Sequence, residues 1–159
     1  MQRRIFLHAG AFAGLSAAGG VAWAHHGWSS FDQNRPIYLE GKVVEVKWRN
    51  PHVELVLEVP ESLALPVDLS QRPVPAQSAN IDGAALLAKA VVPTRRDRRW
   101  EIELAPLFRI NQWKMPEVAA GTDLSVVGFT FNGEAGAALA RAEYVFYDGK
   151  VYGLRSSPA

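Results

Sequence analysis

Two adjacent histidines, His25 and His26, follow an apolar segment that ends in Ala22-Trp23-Ala24. Cleavage after Ala24 by a signal peptidase would place His25 at the new amino terminus. An α-amino group, the imidazole of the same residue and a second imidazole would then share one chain end. Among the divalent first-row metals, copper(II) binds nitrogen donors of this kind most strongly. The sequence therefore predicts a metal site that processing creates.

A third histidine completes the predicted ligand set. After residue 24, His52 is the only other histidine in the chain, and it follows Asn50 and a proline at the end of a predicted strand. We predict that His25, His26 and His52 bind the metal in a T-shaped arrangement that resembles a histidine brace. We expect Asn50 to fix the turn, and Glu54, on the same strand face as His52, to orient its imidazole. Zinc is the rival metal.

Residues 1–24 have the three parts of a secretory signal: a charged front, an apolar stretch rich in Ala and Gly, and small residues before the cleavage position. Arg3 and Arg4, followed closely by Phe6-Leu7, resemble a twin-arginine signal. The apolar stretch is short for a membrane-spanning helix, so we expect an exported, periplasmic protein without a transmembrane span in its mature form. Cleavage after Ala22, the alternative to Ala24, would place His25 third from the new amino terminus and change the copper-binding arrangement.

Composition excludes several classes of function. The chain has 159 residues and no cysteine, which excludes thiol catalysis, zinc ribbons and iron–sulfur clusters. Two of its 17 Lys and Arg residues lie in the first 24 residues, so the mature part carries 15 of them against 16 Asp and Glu. This near-neutral balance argues against nucleic acid as a partner. We find no nucleophile–base motif and no phosphate-binding glycine loop, and we predict no catalytic residues.

Alternation of apolar and polar residues predicts a mainly β domain over residues 37–159, after an amino-terminal arm of residues 25–36. The predicted strands are residues 37–49, 53–59, 99–104, 124–131 and 141–147, and Asp148-Gly149 predicts a final hairpin. A short helix is predicted within residues 106–113. Five strands with a helix between the third and the fourth predict an OB-like β-barrel.

Residues 60–98 are rich in proline and are predicted to form a long insert in this barrel, with a short helix within residues 81–92. Three aromatic residues, Trp28, Phe31 and Trp48, lie near the histidine motifs. We expect them to seal one end of the barrel rather than to line a pocket. Met115 lies beside Trp113, and we expect it to pack in the core.

Three motifs carry a resemblance to a known family. They are the pair in His25-His26-Gly27-Trp28-Ser29, the strand that ends in Trp48-Arg49-Asn50-Pro51-His52, and Gly121-Thr122-Asp123 followed by Val126-Val127-Gly128. These motifs resemble a family of small exported bacterial proteins of unknown function, DUF6152. Its members show a His-His pair after the signal and a strand that ends in Trp-x-Asn-Pro-His. The resemblance implies an exported β domain and supplies no activity.

Three functions remain open at this point. The first is a periplasmic metal-binding protein, with copper(II) as the expected metal, that acts in storage, delivery or sensing. The second is a non-enzymatic module that binds a small ligand or a periplasmic or membrane-associated protein, with the histidines in a solvated arm and at a turn. The third is a copper oxidoreductase, which the ligand set would permit. The small domain offers no evident substrate surface, so we favour a non-enzymatic protein.

Overall fold

Six strands carry the fold in the computed structural model, which describes residues 27–159. They are β1 (Ile37–Lys47), β2 (Glu54–Glu58), β3 (Arg99–Glu103), β4 (Asp123–Phe129), β5 (Leu139–Tyr147) and β6 (Lys150–Gly153). The two α-helices of the same part of the chain are α1 (Gly83–Lys89), between β2 and β3, and α2 (Leu107–Gln112), between β3 and β4.

The first five strands close into a barrel. Their hydrogen-bonded order is β3-β2-β1-β4-β5, and β5 pairs back onto β3. The β3–β5 pairing is parallel, whereas the other pairings in the barrel are antiparallel. This topology, with α2 between β3 and β4, confirms the predicted mainly β, OB-like barrel. Strand β6 continues from β5 through Asp148 and Gly149, both of which have positive φ, as an Asp-Gly hairpin requires.

Alternate residues of the strands fill the interior of the barrel. The inward side chains of β2 and its flanks are Val53, Leu55, Leu57 and Val59, and those of β3 and its flank are Trp100, Ile102 and Leu104, all of them buried. Met115 is buried in the same core, which confirms its predicted packing role. Because side chains alternate across a strand, the residues between them face outward.

Strand β1 departs from the predicted alternation. The sequence places Val44, Val46 and Trp48 on the apolar face, but the pairing with β2 shifts register between Val43 and Glu45. An extra residue at this bulge reverses the faces of the strand on one side of it. Val43 is therefore fully buried and Val44 is only partly buried, whereas Val46 and Trp48, beyond the bulge, pack against the main core as predicted.

The long connection between β2 and β3 packs on the outer surface of β1 and β4. Its apolar residues Leu69, Leu87 and Ala90 bury Tyr38 of β1 and Val127 of β4 in a second core. Helix α1 lies against β5 at Gly83, where a Cβ would stand 2.6 Å from the hydroxyl oxygen of Tyr144. Glycine is thus required for the close approach of this helix, and the insert covers apolar surface of the barrel.

One carboxylate ties the arm, the insert and the β4–β5 connection together. Glu134 accepts hydrogen bonds from the backbone nitrogens of Thr94 (2.9 Å) and Arg95 (2.8 Å), and its Oε1 lies 2.5 Å from Arg35 Nη1. Its side chain is only 5% exposed. Burial alone would raise the pKa of Glu134, but the hydrogen bonds from Thr94, Arg95 and Arg35 lower it to about 2.

We expect Glu134→Gln to lower the free energy of unfolding by about 1–3 kcal/mol, because it removes the charge from several hydrogen bonds. The pKa of Glu134 is lowered on folding, so its contribution is present above the ordinary value of 4.5 and is lost as the pH falls toward 2. Urea unfolding at pH 7 and at pH 3 measures this difference. Exposed Glu117→Gln is the control, and an equal loss at both pH values would contradict the assignment.

Candidate functional site

Of the three histidines predicted to bind metal, His52 lies in the described part of the chain. His25 and His26 lie outside the described residues, as do Arg3, Arg4, Ala22 and Ala24 of the predicted signal. The surroundings of His52 therefore form the described part of the candidate site.

Continued pairing of β2 with β3 places His52 beside a carboxylate. The backbone nitrogen of Val53 donates to the carbonyl of Ala105 at 3.0 Å, and Glu54 lies directly opposite Glu103. His52, two residues before Glu54 on the same outer face, is therefore the diagonal neighbour of Glu103. The Nδ1 atom of His52 lies 3.1 Å from Oε1 of Glu103, and the two side chains are 16% and 9% exposed.

Closure of the barrel adds a cation to this pair. The parallel register of β3 and β5 sets Glu103 opposite Arg141, whose Nη1 donates to Oε1 of Glu103 at 2.9 Å. Burial lowers the pKa of Arg141 from its usual range, and Glu103 acts against that shift. A guanidinium nevertheless remains charged at any physiological pH. The same carboxylate oxygen therefore faces both a fixed positive charge and an imidazole.

The two residues predicted to support His52 have other contacts in the structure. Oδ1 of Asn50 accepts a hydrogen bond from the backbone nitrogen of Leu107 at 3.1 Å, the first residue of α2. Asn50 therefore ties the turn that carries His52 to the start of that helix. Oε2 of Glu54 accepts a hydrogen bond from Lys47 Nζ at 3.0 Å. The carboxylate in contact with the imidazole of His52 is that of Glu103, not that of the predicted Glu54.

The amino-terminal arm docks beside this cluster through Trp28. The guanidinium carbons of Arg155 and Arg141 lie 3.8 Å and 4.6 Å from the centroid of the Trp28 ring. Arg155 donates through Nε to Oε2 of Glu143 at 2.6 Å, and Glu143 is fully buried. Cation–π attraction to two partly desolvated arginines thus holds the arm against the outer face of β5.

Two further contacts continue this docking along the arm. Phe31 stacks on Phe131 with ring centroids 5.2 Å apart, and the backbone nitrogen of Asp32 donates to Thr130 O at 2.9 Å. Phe31 packs in a cluster with Phe129 and Trp28 on the outside of the barrel, whereas Trp48 packs against the main core.

A shallow groove runs beside the cluster on the outer face of β1, β2 and β3. Its volume is about 390 Å³, and its charged lining residues are Glu45, Lys47, Glu54, Arg99 and Glu101. Burial raises the pKa of Glu101, and the nearby charge of Glu54 adds to this shift. The groove therefore presents charges of both signs on a concave surface.

Residues 27–159 were searched for metal-binding clusters and for membrane-spanning helices. Within that range, no group of three or more His, Cys, Asp or Glu side chains is arranged to hold a metal ion. The helices of the same range are too short or too polar to cross a membrane.

No motif in the sequence indicates a role for Glu103 or Arg141. Glu103 and Glu101 alternate with apolar residues on a predicted strand, a pattern that many solvated strands share. Arg141 stood at the start of a predicted strand. The strand alternation places both residues on the outer face, but no sequence pattern indicates that they meet.

The family model of DUF6152, a family of unknown function, matches residues 13–65 of the chain and confirms the resemblance. The matched segment includes His25, His26, Trp28, Asn50 and His52. No curated protein and no solved structure is significantly similar to the chain.

We expect Trp28→Ala to lower the free energy of unfolding by about 1–3 kcal/mol, because the two arginines lose their aromatic contact. It should also speed hydrogen exchange at the Asp32 amide, which is bonded to Thr130. Phe108→Ala is the matched control because Phe108 is 60% exposed, and its effect should stay within about 0.5 kcal/mol. Equal effects of the two substitutions would show that Trp28 does not anchor the arm.

Proposed function

We propose that the chain is an exported, periplasmic protein that binds copper(II) through His25, His26 and His52. The observation that carries this proposal is the contact of Trp28 with Arg141, at 4.6 Å from guanidinium carbon to ring centroid. Arg141 also binds the carboxylate that lies at His52. The docked arm and the Asn-Pro-His turn therefore lie on either side of one ion pair.

Chain geometry supports a meeting of the two histidine motifs. Consecutive Cα atoms are 3.8 Å apart, and only Gly27 separates His26 from Trp28 in the sequence, so the chain between them can span at most about 8 Å. Because Trp28 is docked, we expect the processed amino terminus to stay close to Arg141. Without docking, the two motifs would be joined by a flexible loop, and closing it would cost conformational entropy.

The donor set favours copper(II). Under this proposal the metal takes the terminal amine and one ring nitrogen from His25, and further ring nitrogens from His26 and His52. Such nitrogen-rich sites prefer copper(II) to zinc in intrinsic affinity. The chemistry fits copper storage, delivery or sensing in the periplasm.

A second candidate rests on the groove beside β2 and β3. OB-type barrels often bind ligands on this face, and the groove here carries charges of both signs over about 390 Å³. In this alternative the protein is a non-enzymatic module that binds a ligand or a protein, and the histidines serve only the structure. A mature protein that binds no copper would favour this candidate.

The test uses exported protein whose first residue is established by mass spectrometry. We expect it to bind copper(II) about one to one, with nitrogen hyperfine structure in the electron paramagnetic resonance spectrum. The copper affinity of the double variant His25→Ala, His52→Ala should fall by more than about 100-fold. Removing a ligand should cost more affinity than removing a residue that only hydrogen-bonds to a ligand.

Two further variants test the roles of the terminal amine and of the docked arm. A protein extended by one alanine before His25 keeps every imidazole but moves the terminal amine, so its copper spectrum should change. A Trp28→Ala protein should bind more weakly than the native protein because its arm is no longer held. Unchanged affinity in the double variant would refute the site.

A further inference from the structure

We infer that Glu103 is the positioning residue of His52: it accepts the Nδ1–H of the imidazole and so presents Nε2 to the metal. The role at the metal rests on the proposed function. Which ring nitrogen carries the proton of the neutral imidazole is, in contrast, a property of the metal-free protein and can be measured without any metal.

The geometry assigns the proton to one ring nitrogen. Nδ1 of His52 lies 3.1 Å from Oε1 of Glu103, and both side chains are largely buried. An ionised carboxylate accepts hydrogen bonds and cannot donate them, while a neutral imidazole carries a single N–H. The neutral ring therefore holds its proton on Nδ1, and Nε2 is the nitrogen with a lone pair for a metal.

Arg141 supplies a counter-ion for the carboxylate of Glu103. Its Nη1 lies 2.9 Å from the same Oε1, and its side chain is 11% exposed. Backbone register enforces the contact, because Glu103 and Arg141 are partners across the β3–β5 seam. A guanidinium does not give up its proton in a protein, so the carboxylate has a permanent counter-ion.

Glu54 stands beside Glu103 but serves a different contact. The two residues are direct partners across β2 and β3, and Glu54 binds Lys47 Nζ at 3.0 Å. Its side chain is 22% exposed, more than twice the 9% of Glu103. Glu54→Gln therefore makes the same chemical change at the neighbouring position and provides a matched control.

A carboxylate behind a ligating histidine fixes the ring and strengthens its donor nitrogen. Loss of such a contact commonly lowers metal affinity about 10- to 100-fold. We expect this loss for Glu103→Gln in the mature protein, whereas Glu54→Gln should remain within about threefold of the native affinity, as for a partly exposed ion pair. The copper spectrum should also shift in the first variant and stay the same in the second.

The decisive measurement is the tautomer of His52 in metal-free protein labelled with ¹⁵N. Long-range ¹H–¹⁵N correlations should show a protonated Nδ1 and an unprotonated Nε2. The paired variant Glu103→Leu, Arg141→Met removes the acceptor and its counter-ion together, so no unpaired charge remains buried. In that variant the neutral ring should move toward the Nε2–H form, with circular dichroism as the check on folding.

The outcomes separate the two proposals. An Nε2–H ring in the native metal-free protein, or native copper affinity in Glu103→Gln, overturns the role of Glu103. A mature protein that binds no copper overturns the proposed function alone, and the tautomer then decides the contact with Glu103.

Discussion

The parallel pairing of β3 with β5 is the constraint on which the rest of the molecule depends. It closes the barrel, and in doing so it brings Glu103 against Arg141 on the outer surface. Removing two charges from water costs several kcal/mol per ion, and their mutual attraction offsets this cost only when further hydrogen bonds and contacts surround them. Here the imidazole of His52 lies at the carboxylate, and the ring of Trp28 lies against the guanidinium.

The same strand gathers segments that are distant in sequence. Glu143, one pleat further along β5 from Arg141, binds Gln77 of the insert and Arg155 of the tail. Arg155 in turn donates to Gln33 of the arm at 2.7 Å. The outer face of β5 is therefore covered by the arm, the insert and the tail, and their polar contacts are directional. Directional contacts set the position of the arm more narrowly than apolar packing would.

This arrangement bears on the proposed site, which requires the arm to be held against the barrel. An amino-terminal segment is ordinarily poorly ordered unless something ties it down. Trp28 and Phe31 do so here, since Trp28 lies against Arg141 of β5 and Phe31 stacks on Phe131 in the connection that follows β4. The groove of β1–β3 lies next to the same cluster, since Glu54 lines it and is the strand partner of Glu103.

Local sequence determined the elements of this protein: the period-two alternation marks the strands, Asp148-Gly149 marks the hairpin, and the order of strands and helix indicates the barrel. It also singled out His52 and its turn. Only the tertiary structure decided that Glu103 rather than Glu54 lies at that histidine, that Arg141 faces the same carboxylate, and that the insert covers β1 and β4. The reason is that alternation specifies which face a side chain occupies, whereas strand register and barrel closure specify its neighbours. Those depend on pairings between segments far apart in the chain, as the bulge after Val43 also shows.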